Sequence, residues 1–219
     1  MLNRESATQY WYHKQVIANN NMQSHRNCKG ILIEAASMVL SEGVRPNPEF
    51  ALRLDFAAEL YNKLKSTATF VHIYVPGSLH KTNGVADQLS LSEAGKRYLV
   101  SLGIPAEDIL GDEQNIKYKQ GDGVYNTADE CYVTSSIFLN GDYSELHCCC
   151  SPIQVTRKWF YYLEFGVIAL IHSVPYKNSD VQDIVLEQLR SIENVIYNDH
   201  SAQSHDSEVF IRSRIERKP

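Results

Sequence analysis

A chain of 219 residues with 43% hydrophobic content is long enough to bury one core, and a formal net charge of −5 without any basic run argues against a nucleic-acid groove. No window approaches the ~20 consecutive apolar residues that a membrane-spanning helix needs. Residues 1–29 are polar, with Asn19, Asn20 and Asn21 where the apolar stretch of a signal peptide would stand, so a cytoplasmic protein is expected.

Weak helical patterning over 1–29, with Tyr10, Trp11, Ile17 and Met22 available for packing, predicts a helical arm. A compact apolar run opens at Gly30 and reads as a strand, and the Gly and Pro punctuation of 41–48 reads as a loop. From Pro48, a helix is predicted with Phe50, Leu54, Ala57, Ala58, Tyr61 and Leu64 on its apolar face, while Arg53 and Asp55 lie off that stripe. The β-branched and aromatic stretch 69–75 is a second strand, stopped by Pro76-Gly77-Ser78, and a long polar loop runs to Leu91.

Ser92, as N-cap, and Glu93 are expected to start a helix that Gly103 and Pro105 end, followed by a short strand at Ile109-Leu110. Residues 114–125 form an excursion, after which Asn126-Thr127 cap a helix over 128–138. The stretch 145–166, ELHCCCSPIQVTRKWFYYLEFG, is read as a buried strand over 146–150, an abrupt Ser151-Pro152 corner and a helix to Gly166. A strand over 167–172 follows, then a helix with Val181, Ile184, Val185, Leu189 and Ile192 on its apolar face.

Alternating strands and helices predict an α/β fold: a three-layer, Rossmann-like, open and mostly parallel sheet of about five strands with helices on both faces. The expected organisation is an N-terminal arm at 1–29, the domain at 30–198 and a C-terminal tail at 199–219. Arm and tail are the surfaces on which a homo-oligomer would form. The five cysteines, Cys28, Cys131 and the run Cys148, Cys149 and Cys150, contain no CxxC pair. Neighbours along a strand point to opposite faces, so the run cannot converge on one metal; the thiols are expected to act as small hydrophobes, with no metal bound.

Four stretches carry a resemblance to a known family: GVRPNPEFALRLDFAAELY at 43–61, LSEAGKRYLVSLGIPAEDIL at 91–110, YNTADE at 125–130 and CSPIQVTRKWFYYLEFG at 150–166. In this order and spacing the chain resembles the YdcF/SanA-like family of bacterial Rossmann-like domains, from about Gly30 to Gly166, most of the core. The chain departs from the family pattern after its first strand, where Glu34-Ala35-Ala36-Ser37 stands in place of a Gly-rich corner, and at Gln154, where the family tends to have His. The resemblance implies a small-molecule ligand at the domain edge, S-adenosylmethionine or a related nucleotide being the most concrete.

In an open parallel sheet, ligands sit outside the carboxyl ends of the strands, where helix N-termini present unpaired N–H groups. The corner residues expected at that rim are Glu34, Ser37, Arg53, Ser78, His80, Ser92, Glu93, Asn126, Thr127, Ser151, Gln154 and Arg157. Glu34, Glu93 and His80 are the candidates for moving protons, and the others for holding ligand. Each Ser or Thr also has the plain reading of a helix cap, Arg53 that of a solvated helix face, Arg157 that of an internal ion pair and His80 that of a solvated loop residue. The fingerprints GxGxxG, GxxxxGK[ST] and GxSxG are all absent.

The expected function is a transfer or elimination reaction using a nucleotide-like ligand. The alternatives are a metabolite-binding module without turnover and a hydrolase of a phosphorylated metabolite. Neither nucleic acid nor membrane is an expected partner.

Overall fold

The computed structural model describes residues 30–36, 40–79, 81–82, 85–111, 124 and 127–175. The arm, the tail, the helix expected beyond residue 180 and almost all of the 114–125 excursion lie outside them. Five strands form one parallel sheet in the order β7-β4-β1-β8-β9, with β1 at Gly30–Ala35, β4 at Phe70–Tyr74, β7 at Ile109–Leu110, β8 at Tyr143–Cys150 and β9 at Leu170–Ser173. The chain builds outward from β1 in one direction and then returns to lay β8 on its other side. The order therefore reverses between β1 and β8, the place where open α/β sheets hold ligands.

Helices α1 (Pro48–Leu64) and α2 (Leu91–Ser101) cover one face, and α3 (Thr127–Asn140) and α4 (Val155–Glu164) the other. In the central strand β1, Ile31, Ile33 and Ala35 meet α1 and α2, and Leu32 packs with α3 and α4. Such a strand is buried on both sides, which is why its sequence runs apolar without alternating. The cysteine run splits in the same way, Cys148 and Cys150 to one core and Cys149 to the other.

Local chemistry sets the helix starts. Pro48 occupies the first helical position of α1, and the Asn47 carboxamide oxygen accepts from the Phe50 amide at 2.8 Å. The α2 cap is Ser90, whose hydroxyl accepts from Glu93 N at 3.0 Å, and not Ser92, which lies inside the helix. Ser90 stands three residues before Glu93, the spacing at which a cap hydroxyl reaches an orphan amide.

Several boundaries differ from the sequence expectation. β8 begins earlier, because Tyr143 and Glu145 pair with Gly30 and Ile31. β9 begins later, because the amide of Val167 turns back to Tyr162 O. The stretches 41–48 and 77–91, read as loops, carry short antiparallel ribbons: β2 (Leu40–Ser41), which starts one residue earlier, with β3 (Arg45–Pro46), and β5 (Lys81–Thr82) with β6 (Val85–Ala86). Arg53, placed off the apolar stripe of α1, is buried along with that stripe.

Candidate functional site

Glu34 ends the apolar run of β1 with a side chain that has no exposure to solvent. It faces α3 and α4. Lys158, also fully buried in α4, donates its ammonium to Glu34 Oε1 and, at 2.8 Å, to Glu130 Oε2 of α3. Tyr162, one turn further along α4, donates its hydroxyl to the other oxygen of Glu34. The network thus pins β1, α3 and α4 together where the strand order reverses.

Charge balance makes the arrangement tolerable. Burial works against the Lys158 ammonium, but Glu130 and Glu34 outweigh it and hold its pKa well above the ordinary lysine value. Burial raises the Glu130 carboxyl despite the opposing pull of Lys158, and raises the Tyr162 phenol, with Glu34 adding to that rise. Tyr162 therefore stays protonated and remains a donor. A charge left alone at such depth would cost several kcal/mol, so these groups hold together only as a set.

On the opposite face, Arg53 reaches the end of the same strand. Its Nη1 donates to Ala36 O at 2.6 Å and its Nη2 to Glu49, while its positive charge bears on Glu130 and Cys149. The guanidinium is only 4% exposed, and its buried Nε has no hydrogen-bond partner among the described residues. An unsatisfied donor of this kind costs about 1–3 kcal/mol, which an acceptor placed at the β1 corner would recover.

At the β8 corner, the Ser151 hydroxyl donates to Gln154 Oε1 at 3.2 Å and the Gln154 amide donates to Ser151 O at 3.0 Å, across a 3-10 turn at Pro152–Gln154. Both residues are buried, and Arg157 lies half-buried in the first turn of α4. Thr127 is buried at the start of α3, one turn before Glu130. Glu34, Arg53, Thr127, Ser151, Gln154 and Arg157 are therefore all carried by the corners and helices that meet at the β1/β8 junction.

The β4 corner has its own bonding. Ser92 N donates to Gly77 O at 2.9 Å, Leu91 N to Ser78 O at 3.4 Å and Glu93 N to Ser90 Oγ, so the opening amides of α2 are already taken. The Ser78 hydroxyl accepts from Val124 N at 2.8 Å and holds the chain that leads to α3. Glu93 faces solvent, bonded to Arg97 at 2.7 Å. Ser37, His80 and Asn126 lie outside the described residues.

Sequence reasoning passed over Lys158, Glu130 and Tyr162. A signal was present: Lys158 and Tyr162 stand four residues apart within a stripe of buried aromatics, and Glu34 in an otherwise apolar strand requires a cation. At the opposite, amino edge of the sheet lies a groove of about 610 Å³ beside Thr67 and Ser144. Those two hydroxyls are spent on the carbonyls of Leu64 and Gly30. Among the described residues no cluster of His, Cys, Asp or Glu suits a metal ion, and no helix is long and apolar enough to cross a membrane. No family model matches this chain, and no curated protein matches it.

Proposed function

We propose that this chain binds a nucleotide-like small molecule, S-adenosylmethionine first among the candidates, at the β1/β8 junction and uses it in a transfer or elimination reaction. The observation that carries the reading is Arg53. A buried guanidinium with an unused Nε–H at the strand-order reversal calls for a carboxylate or phosphate oxygen, and ligands of this class carry one. The resemblance to the YdcF/SanA-like domains supplies the choice of S-adenosylmethionine, and with it a place in the bacterial cytoplasm. Arg157 and the Ser151 corner would hold the rest of the ligand.

Among the described residues proton handling has little to work with, since Glu34 is committed to Lys158 and Tyr162 and, at the β4 corner, Glu93 to Arg97. Positioning is the larger contribution on this reading. Transfer of an alkyl group from a sulfonium needs alignment of the attacking lone pair, and the carbon–sulfur bonding electrons return to sulfur, leaving a neutral thioether. The commitment of Glu34 equally favours a second reading, a metabolite-binding module without turnover.

Calorimetry and thermal shift with S-adenosylmethionine, S-adenosylhomocysteine and nucleoside phosphates test the proposal. Saturating ligand at about 100 times its Kd should stabilise the protein by about 2.7 kcal/mol, and Arg53→Met should abolish that response. Silence from the intact protein towards every ligand in the panel would reject the reading. Mass spectrometry of the incubated ligand then separates turnover from binding alone.

A further inference from the structure

On the α1 side of the sheet, β8 and β9 carry two histidines that bond to each other. His147 Nδ1 lies 2.9 Å from His172 Nε2, with the ring planes 6° apart and the centroids 5.2 Å apart, the geometry of an edge-to-edge hydrogen bond. Glu145 Oε2 sits 3.2 Å from the other nitrogen of His147. The carboxylate accepts only, so His147 carries its hydrogen on Nε2, Nδ1 is the bare acceptor, and His172 must donate from Nε2. One tautomeric arrangement of the neutral pair satisfies all three groups.

The surroundings leave these imidazoles few other charged neighbours among the described residues. α1 presents Phe56 to the His172 ring at 5.5 Å; its Asp55 is engaged by Tyr98, and its Glu59 and Lys63 are exposed. β1 offers Ile33 beside His147, and β8 offers the buried, protonated Cys149 opposite His172. Burial lowers the pKa of both imidazoles; Glu145 opposes the shift at His147, and His147 adds to it at His172.

We propose that the His147–His172 bond is an acid-released fastener that holds β9 to β8 and, through it, steadies the Ser151 corner. The first proton taken up goes to His172 Nδ1, and the bond survives as imidazolium N–H to imidazole N. A second proton can enter only at His147 Nδ1, the acceptor itself, and then two N–H groups face each other and the bond is gone. The link to the corner is direct: beyond β9 the Val174 amide donates to Cys150 O at 2.8 Å, and Cys150 precedes Ser151. The fastener acts whichever ligand the rim takes.

Hydrogen exchange on the full chain, read by peptide and corrected for intrinsic rates, tests this at about pH 7.5 and about pH 5. Protection of β9 and the Ser151 corner should fall about tenfold relative to β1 on acidification, and His172→Phe, which keeps a ring against Phe56, should remove that pH dependence. Equal protection of β9 and β1 at both pH values, or an undiminished fall in His172→Phe, overturns the proposal. The wild-type imidazole C–H resonances provide a measurement that needs no variant. Two coupled steps are expected, the second below the ordinary histidine value of about 6.5; two independent titrations near that value overturn it.

Discussion

Replacing Lys158 by Met is expected to cost about 3–5 kcal/mol in urea unfolding, because it leaves Glu34 and Glu130 facing each other without their cation. The triple change Lys158→Met, Glu34→Leu and Glu130→Gln should recover much of that loss, since a core without charges has none to neutralise. If the triple variant is as unstable as the single one, packing of the lysine stem and not charge balance is what Lys158 contributes. Of this network, Glu34 alone was conspicuous in the sequence, as an acid within an apolar strand. The spacing of Lys158 and Tyr162 hinted at a partner, but the pairing itself could not be read, because Lys158 lies 124 residues away and the contact depends on which strand comes to lie beside β1. Arg53 was misplaced for a related reason: helical periodicity sets its angle on α1 but not how far the neighbouring strand end reaches over it.

The turn from β4 into α2 is an element whose conformation can be tested by itself. Gly77 has φ +127, a region that L side chains rarely adopt, and a Cβ there would meet the Leu91 side chain at 2.5 Å. Gly77→Ala is therefore expected to destabilise by about 1–3 kcal/mol and to loosen the Ser92 N to Gly77 O bond, which hydrogen exchange at α2 would detect. Pro76-Gly77-Ser78 was legible as the end of a strand. Its tie to the start of α2 was not, since it links segments separated by the β5–β6 ribbon. The α2 cap was open to reading, as Ser90 and Glu93 carry the spacing, but Ser92 offered a competing hydroxyl beside the same glutamate. At β8, Ser144 and Glu145 disguised the strand start, because the first residues of a strand at the sheet's amino edge need not be apolar.

For the molecule as a whole, burial predicts chemical silence of the four described thiols. Cys131, Cys148, Cys149 and Cys150 are free and buried, and burial holds the pKa values of Cys131, Cys148 and Cys149 far above the ordinary thiol range. A disulfide reagent should leave all four unlabelled in the native state and label them on unfolding. Stability should also depend on pH in one direction near neutrality. His72, His147 and His172 all have lowered pKa values with burial as the first cause, so the folded state binds fewer protons than the unfolded one. Their neutral forms contribute fully above about pH 6.5, and the contribution is lost as pH falls through that value toward the lowered ones. A urea midpoint flat from about pH 8 to pH 7 and declining below about pH 6.5 is the expected result; a midpoint that rises on acidification through that window would contradict it.

Among the described residues, the type and alternation of the main strands and helices were settled by the sequence alone, because the periods of 2 and 3.6 are local properties of the chain, and strands alternating with helices leave a covered parallel sheet as the economical packing. The tertiary structure decided the rest. Only the return of β8 to the free side of β1 brings α3 and α4 over Glu34, seats Lys158 between two carboxylates and places His147 beside His172, and no local pattern encodes a contact that strand order creates.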